Sequence, residues 1–325
     1  MASMEAISTT PRSALRWTLV TAVAPVAWGS TYLVTRQVLP ADHPLWGGTL
    51  RALPAGLLLL LVARRLPRGA QWWRSLVLGT LTTGGFFALV YLSAQLLPTS
   101  VASTVMALSP VVLALAAWAL LGQRPRPRAV AGAGLGLVGV ALLLLTAVGG
   151  VDVRGVLASV AALGVSSVGY ALATRWAAGT DVVASTAWQL LAGGATLGVA
   201  AVLVEGAPPA LDGPAVLGFV WLSVVGTAVA FVAWFSGLRH LRADAVGLVG
   251  LLNPVTGVLL GTLLAGEALS ARQGLGLVLV LLGVAVGQRV SPSPAARAAR
   301  GSAPRRAPRS ARAGRAHAAP SGRHP

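Results

Sequence analysis

The sequence contains no cysteine and no lysine, and only 10% of its 325 residues are charged. Without cysteine the chain cannot form disulfides, thiolate metal sites or iron–sulfur clusters. Its four histidines show no spacing typical of metal ligands, so we expect no metal site. No Walker motif, HExxH motif or Ser/His/Asp pattern is present, which argues against an enzyme, a bound cofactor and ATP as driving force.

Apolar residues dominate the composition of the chain. They make up 55% of the chain, and the mean hydropathy is +0.77. A soluble domain carries about 25% charged residues, so a water-facing surface is excluded and lipid is the expected solvent. We predict ten apolar spans of 18–23 residues, each long enough to cross a bilayer as a helix. The spans are Trp17–Thr35, Leu45–Ala63, Leu76–Leu96, Val101–Leu121, Ala129–Val148, Gly155–Ala173, Val183–Val204, Ala215–Ser236, Ala243–Ala265 and Ala271–Gln288.

The arginines predict the orientation. With the N-terminus in the cytoplasm, 21 of the 25 arginines fall on the cytoplasmic side, three fall outside, and Arg51 lies within a span. Positive residues concentrate on the cytoplasmic side of membrane proteins. We therefore expect both termini inside, and hence an even number of spans.

The membrane part of the chain consists of two similar halves. Residues 109–141 resemble residues 253–285 at an offset of 144, with Pro110 matching Pro254 and Gly139 matching Gly283. Each half has five spans, and because five is odd the halves cross the membrane in opposite senses. The expected fold is an all-α membrane protein with ten transmembrane helices in two inverted five-helix repeats, a construction typical of secondary transporters. The predicted segments are a cytoplasmic segment (1–16), the two repeats (17–148 and 149–289) and a disordered cytoplasmic tail rich in Arg, Ala and Pro (290–325).

Several short motifs resemble the EamA-type members of the drug/metabolite transporter superfamily. They are Trp28-Gly29-Ser30, Leu50-Arg51-Ala52, Ser109-Pro110, Tyr170, Asn253-Pro254 and the run Gly266-Glu267-Ala268-Leu269-Ser270. The first half departs from the pattern, with Gln123 in place of the glutamate. The resemblance covers about residues 17–288. It implies ten helices, a bacterial inner-membrane location and transport of small organic metabolites, with export favoured.

Two charged residues are candidates for function. An arginine at the centre of a span costs about 2.5–3.5 kcal/mol on insertion scales, so we expect Arg51 to have a functional or structural role. It could face a cavity and hold a substrate carboxylate or a helix C-terminus, form a structural contact, or extend towards the headgroups. Glu267 could couple transport to protons, but its place at a span end beside Arg272 favours an interfacial cap or ion pair. The first span has no acid, unlike the proton-coupled small multidrug members of the superfamily.

The other candidate side chains are polar or aromatic residues within spans, which could stack on or hydrogen bond to a substrate. Trp28, Tyr170 and Asn253 lie deepest and are the leading candidates. Pro110 and Pro254 each follow a polar residue and are predicted hinges, with a packing kink as the alternative. The full predicted substrate-binding set is Trp28, Ser30, Tyr32, Arg51, Tyr91, Gln95, Ser109, Tyr170, Gln189, Trp234 and Asn253.

These features predict a secondary active transporter that exports small organic metabolites, such as amino acids or drug-like compounds, by alternating access. The alternatives are a membrane scaffold without a transport cycle and a facilitative channel. The expected partners are the small-molecule substrate and the bilayer, with anionic lipid attracting the tail by about 1 kcal/mol per arginine. Nucleic acid is not favoured. The glycine-rich fifth and tenth spans could pack with each other or with a second chain, which leaves a homodimer open.

Overall fold

The computed structural model describes residues 11–288 except residues 41, 107, 123, 125–126, 146–151, 177–178, 242–245, 247–248, 251 and 267. The predicted coupling residue Glu267, the N-terminal ten residues and the tail therefore lie outside the described residues. The described secondary structure is helical, with no strand. Its helices are α1 (Pro11–Val38), α2 (Pro44–Ala63), α3 (Gln71–Leu96), α4 (Thr99–Met106), α5 (Ser109–Leu121), α6 (Pro127–Leu145), α7 (Val153–Trp176), α8 (Val182–Val204), α9 (Gly213–His240), α10 (Leu252–Leu263) and α11 (Ala271–Gln288).

Six of these helices, α1, α2, α3, α7, α8 and α9, are long and apolar enough to cross a membrane. Shorter apolar helices lie within the predicted fourth, fifth, ninth and tenth spans. The predicted all-helical membrane class is confirmed. The number of ten spans and the inverted arrangement of the repeats stay predictions.

Large apolar side chains are exposed on the surface, and the mainly apolar interior also contains polar side chains. Leu61, Leu203 and Leu217 are more than 70% exposed, whereas the buried side chains include Thr82 and Thr186 at 0% exposure. A soluble protein avoids large continuous apolar surfaces, whereas a bilayer favours them. The molecule is therefore a multi-pass membrane protein with its polar side chains directed inward.

Equivalent helices of the two halves pack on each other. Helix α2 packs on α8, and α6 packs on α11, while α1 contacts α9 in the same way that α7 contacts α3. At the α6–α11 crossing, a Cβ added to Gly139 would lie 2.6 Å from the Gly276 carbonyl oxygen, and one added to Gly283 would lie 2.5 Å from that of Gly132. The glycine-rich spans thus pack with each other, because only glycine permits this approach of two backbones.

Two long helices each contain one π-helical stretch. In α3 it covers Thr80–Gly85, and in α9 it covers Val224–Val229. The two stretches are separated by the same 144 residues that separate the sequence repeats. A π-turn changes the i→i+4 hydrogen-bond pattern and can present backbone groups to other partners, which is why such turns are frequent at functional sites.

Candidate functional site

Arg51 is held inside the protein by α9. The side chain is 6% exposed, and its Nε donates a hydrogen bond to the Thr227 hydroxyl at 2.6 Å. Its Nη2 donates to the Gly226 carbonyl oxygen at 2.9 Å, and the guanidinium carbon lies 4.2 Å from the centre of the Phe87 ring, in cation–π contact. The alternative in which Arg51 extends to the headgroups is therefore wrong, because its charged group points into the helix bundle.

The π-helical stretch of α9 supplies the acceptors. The Gly226 carbonyl oxygen accepts from Arg51 and also from the Trp28 indole nitrogen, at 3.1 Å. One carbonyl of α9 thus joins a side chain of α1 to a side chain of α2. A carbonyl has two lone pairs, so both bonds can form at once. This arrangement explains why the sequence combines a tryptophan in the first span with an arginine in the second.

Aromatic rings surround this point. Trp28 contacts Phe231 at a centroid distance of 5.5 Å and Trp234 at 5.2 Å. Phe231 in turn contacts Phe87 at 6.0 Å and Phe235 at 5.9 Å. All four pairs are edge-to-face or tilted, as favoured by aromatic quadrupoles. The rings form a continuous series from Arg51 to Phe235.

Phe235 lines a pocket of about 260 Å³ at one end of the bundle. Tyr170 contacts Phe235 at 6.0 Å, so this predicted residue lies beside the ring series. Two arginines, Arg74 and Arg239, line the pocket, and none of the acidic residues that the structure describes does. We call this side, where α2, α7 and α9 end, the pocket end. The pocket is lined by Gln71, Arg74, Ser75, Leu78, Ala173, Thr174, Trp176, Thr180, Val182, Ser185, Trp188, Gln189, Phe235, Leu238 and Arg239.

The opposite side of the bundle is tied together by Glu205. This residue follows α8, and its carboxylate accepts hydrogen bonds from the backbone nitrogens of Leu45 at 2.7 Å and Trp46 at 2.9 Å. The Trp46 indole nitrogen donates to the Gly206 carbonyl oxygen at 3.1 Å. A carboxylate at a helix N-terminus satisfies free N–H groups and is favoured by the helix dipole. The N-terminus of α2 is thereby capped by the other half, and we call this side the Glu205 end.

Two predicted substrate-binding residues lie at the Glu205 end. The Tyr91 hydroxyl donates to the Pro40 carbonyl oxygen at 2.8 Å, and the Gln95 amide nitrogen donates to the Thr35 carbonyl oxygen at 3.1 Å. The first bond fixes the residues that follow α1 to α3, and the second fixes the C-terminal part of α1 to α3. The structure thus places Tyr91 and Gln95 apart from the Trp28 and Arg51 contacts.

Three other predicted residues divide between the interior and the surface. Tyr32 is 3% exposed and interacts electrostatically with Arg51, as does Tyr170. Gln189 is buried, lines the pocket and accepts a hydrogen bond from Thr82 at 3.3 Å. Ser30, by contrast, accepts a hydrogen bond from Trp221, whose side chain is 43% exposed. Ser30 therefore belongs to the outer face of the bundle.

Two predicted residues have buried polar atoms without a partner in the described structure. They are the Trp234 indole nitrogen and the Asn253 side-chain oxygen. Asn253 lies where α10 crosses α1, and a Cβ added to Gly29 would be 2.8 Å from its carbonyl oxygen. Gly29 is thus required for the crossing. An unsatisfied buried polar atom is costly, so both atoms are available to a ligand.

The predicted hinge prolines lie near helix starts. Pro110 occupies the first turn of α5, directly after the interruption between α4 and α5, and Ser109 is the first residue of that helix. Pro254 is buried and is the third residue of α10. Proline lacks an N–H that the first helical turn does not need. The interruption before Ser109 divides the predicted fourth span between two helices, and the hinge role stays a prediction.

Sequence reasoning missed Gly226, Thr227, Phe87 and Glu205. The first two owe their role to a π-turn, which leaves no periodic signal in the sequence. Glu205 carried a weak signal, since it is an acid in a loop that has no arginine. Among the described residues, no group of three or more His, Asp or Glu side chains could hold a metal ion.

Comparison with known proteins agrees with this architecture. The chain is 34% identical to protein PecM of Dickeya dadantii, over 82% of this chain and 91% of PecM. It is 27% identical to the uncharacterized transporter YwfM of Bacillus subtilis, over 83% and 93%. It is also 27% identical to the uncharacterized inner membrane transporter YedA of Escherichia coli strain K12, over 80% and 86%. One solved crystal structure superimposes with a TM-score of 0.64 at 25% identity, over 88% of this chain and 99% of that one.

The family match is twofold. The sequence profile of the EamA-like transporter family matches residues 15–145 and again residues 153–286. These two ranges contain Arg51 and Trp28 in the first copy, and Gly226 and Phe235 in the second. The relatives named as transporters match over most of their own lengths. The chain belongs to the EamA-like transporter family and acts as a membrane transporter.

Proposed function

We propose that this protein is a secondary transporter of the bacterial inner membrane that exports small organic metabolites, such as amino acids or drug-like compounds, by alternating access. The two halves move relative to each other, so that a central site opens first to one side and then to the other. The central site lies between Arg51, Trp28 and the aromatic series that leads to the pocket.

The distribution of charge supports the orientation in this proposal. Arginines lie in the last turns of helices or directly after them mainly at the pocket end, as at Arg64, Arg65, Arg175 and Arg239. At the Glu205 end the helix termini carry acids, such as Asp152, Glu205 and Asp212. Since cytoplasmic loops are enriched in positive residues, the pocket end faces the cytoplasm and both termini lie there.

The observation that carries alternating access is the difference between the two ends. A pocket opens at one end. At the other, hydrogen bonds join the halves, from Leu45 and Trp46 to Glu205 and from Trp46 to Gly206. A transporter open to the cytoplasm and closed to the outside has this arrangement. Its opposite state would break the bonds at the Glu205 end and close the pocket.

Pairs of equivalent contacts support the interconversion. Trp46, near the start of α2, donates to Gly206 after α8, and Trp188, near the start of α8, donates to Arg65 after α2 at 2.8 Å. The π-helical stretches of α3 and α9 are equivalent as well. Halves that use similar contacts can exchange conformations, which is the physical basis of alternating access in inverted repeats.

The test is counterflow in liposomes that contain the purified protein, with a panel of metabolites and with or without a pH gradient. We expect saturable uptake of one chemical class. Uptake that rises with the gradient means proton coupling, whereas uptake indifferent to it means exchange or facilitated transport. The Trp28→Ala variant should lose uptake, because it removes the bond to Gly226 and two ring contacts.

Trp221→Ala is the matched control, since Trp221 is an exposed tryptophan whose nitrogen bonds Ser30 on the outer face. It should keep wild-type uptake. Uptake that is unsaturable and linear in concentration would indicate a channel. Absence of uptake for every class, from folded protein, would contradict the proposal in favour of a scaffold.

A further inference from the structure

We infer that the substrate is an organic anion, and that its carboxylate binds the Arg51 guanidinium inside the bundle. This inference rests on the proposed transport function and assigns the chemical class that the central site accepts. The body of the substrate is apolar or aromatic and lies against the rings of Phe87 and Phe231.

The first argument is the missing counter-charge. Arg51 is buried, and its hydrogen-bond partners, Thr227 and Gly226, are both neutral. The titratable groups near it among the described residues are the phenols of Tyr32 and Tyr170, and none is a carboxylate. The described acids are Asp42, Asp152, Asp181, Glu205 and Asp212, and each lies at or near a helix end.

A buried cation without an anion is strongly unfavourable, both in proteins and within a bilayer. Such a charge is retained where a ligand supplies the partner. The contacts that Arg51 does make, two neutral acceptors and an aromatic face, hold the guanidinium in place without neutralising it. The charge therefore remains available to an incoming anion.

The second argument is the remaining hydrogen-bonding capacity. A guanidinium has five N–H groups. Two of the three nitrogens of Arg51 have an acceptor in the described protein, namely Nε and Nη2, and Nη1 has none. The planar donor set of arginine matches a carboxylate.

The third argument is the approach. The pocket at the end of the ring series is lined by Arg74 and Arg239 and, within the described part of the chain, by no acidic side chain. Arg74 has a buried Nε without a hydrogen-bond partner, and its guanidinium lies 5.8 Å from the Trp176 ring. Basic residues in a recessed opening concentrate anions there. A second positive region thus lies at the pocket, at the other end of the ring series from Arg51.

The ring series sets the shape of the rest of the ligand. Phe235 lines the pocket, Phe231 follows it at 5.9 Å, and Phe87, 6.0 Å further on, lies under Arg51. An anion that travels along these rings gains from a flat apolar body, because such a body can stack on each of them. A small hydrophilic anion such as phosphate would gain nothing from this lining.

The experiment compares each carboxylate with its own primary amide, which has nearly the same shape and no charge. Phenylacetate and phenylacetamide are the first pair. Binding is measured in lipid nanodiscs from the shift in unfolding temperature and from tryptophan fluorescence, and counterflow is measured in liposomes with the same pairs. We expect the carboxylate to bind at least about tenfold more tightly than the amide, as for hydrogen bonds that gain a full charge.

Two variants of Arg51 complete the test. Arg51→Gln keeps a polar side chain and should lose the preference for the carboxylate, whereas Arg51→Lys keeps the charge and should retain part of it. Equal binding of acid and amide by the wild type, no binding of either by folded wild type, or an unchanged preference in Arg51→Gln would overturn the inference. Counterflow of neutral or cationic compounds alone would overturn it while leaving the transport function intact. Arg51-dependent binding without any counterflow would support the anion site and contradict transport.

Discussion

The two ends of the α2–α8 helix pair have the same tryptophan contact and differ by one carboxylate. At both ends an indole nitrogen near the start of one helix donates to a carbonyl just after the other helix, from Trp46 to Gly206 and from Trp188 to Arg65. At the Glu205 end, a carboxylate also caps the start of α2. At the pocket end, the residue after α2 is Arg64. Its side chain has only donors and cannot accept a hydrogen bond from a helix N-terminus.

The start of α8 is capped within its own chain segment instead. The Asp181 carboxylate accepts from the Ala184 backbone nitrogen at 2.9 Å. The cap at the Glu205 end joins the two halves, whereas the cap at the pocket end lies within one half and leaves the Trp188 bond to Arg65 without a carboxylate beside it. Under the proposed alternating access, Glu205 is the residue expected to keep this end closed while the pocket end is open.

The largest effect is expected from Glu205→Ala. Hydrogen bonds to a charged acceptor contribute about 1.5–3 kcal/mol each, so loss of two shifts the opening equilibrium by at least about tenfold. The reporter is Ser223→Cys, a buried position between Arg51 and the Glu205 end, in a chain that has no other cysteine. Its labelling rate by a water-soluble maleimide should rise at least about tenfold. Glu205→Gln, which keeps one acceptor oxygen, should give a smaller rise, and an unchanged rate in Glu205→Ala would contradict the role.

Tyr91→Phe should weaken the same end to a lesser degree. It removes the hydroxyl that donates to Pro40 at 2.8 Å and leaves the ring in place. A neutral hydrogen bond contributes about 0.5–1.5 kcal/mol, so the labelling rate of Ser223→Cys should rise by a few-fold. A rise equal to that of Glu205→Ala would mean that the Glu205 carboxylate contributes no more to the closure of this end than the Tyr91 hydroxyl does.

The two tryptophans test whether the shared contact contributes equally at both ends. Trp188 is 7% exposed, whereas Trp46 and its bond to Gly206 are more accessible to water. Trp188→Phe should therefore lower the unfolding temperature in detergent by a few degrees, and Trp46→Phe by less. The reverse order would show that burial does not decide the strength of these contacts.

The smallest effect is expected at Asp152, a half-buried residue at the Glu205 end that pairs with the exposed Arg154 at 2.8 Å. Hydrogen bonds from Arg154 lower the pKa of the Asp152 carboxyl. Any stability that the pair contributes is present at neutral pH and is lost as the pH falls through that lowered pKa. Because exposed ion pairs contribute little, Asp152→Asn should leave the unfolding temperature at pH 7 unchanged within error. A clearly lower unfolding temperature would indicate that surface charge contributes to holding this end together.

Much of the architecture was accessible from the sequence. Apolar length predicted the six long spans, and the 144-residue offset predicted which helices would be equivalent. Arg51 and Trp28 were recognised because a charge and an indole inside a span are unusual. Their meeting at one carbonyl was not predictable, since Gly226 is nearly 200 residues from Trp28 and accepts both bonds from a π-turn. Local periodicity carries no information about such a long-range contact.

Because the sequence does not show long-range contacts, it also did not reveal the role of Glu205 or which predicted substrate-binding residues lie in the interior. An acid in a short loop is ordinary in sequence, and only the packing of α2 on α8 brings it to the start of α2. Ser30 belongs to one of the motifs on which the sequence resemblance rests, yet it bonds Trp221 on the outer face. A polar residue within a span does not reveal which side of its helix faces the interior until the partners of that helix are known.

The most direct test of alternating access measures both ends of the same protein. Spin labels at Asp42→Cys and Ala210→Cys report on the Glu205 end, and labels at Leu66→Cys and Thr174→Cys report on the pocket end; all four residues are exposed. Distances are measured by pulsed electron resonance in nanodiscs, with and without Glu205→Ala. We predict that the variant lengthens the first distance and shortens the second. Opening of the Glu205 end with no change at the pocket end, or a single fixed distance at each end, would contradict a reciprocal movement of the two halves.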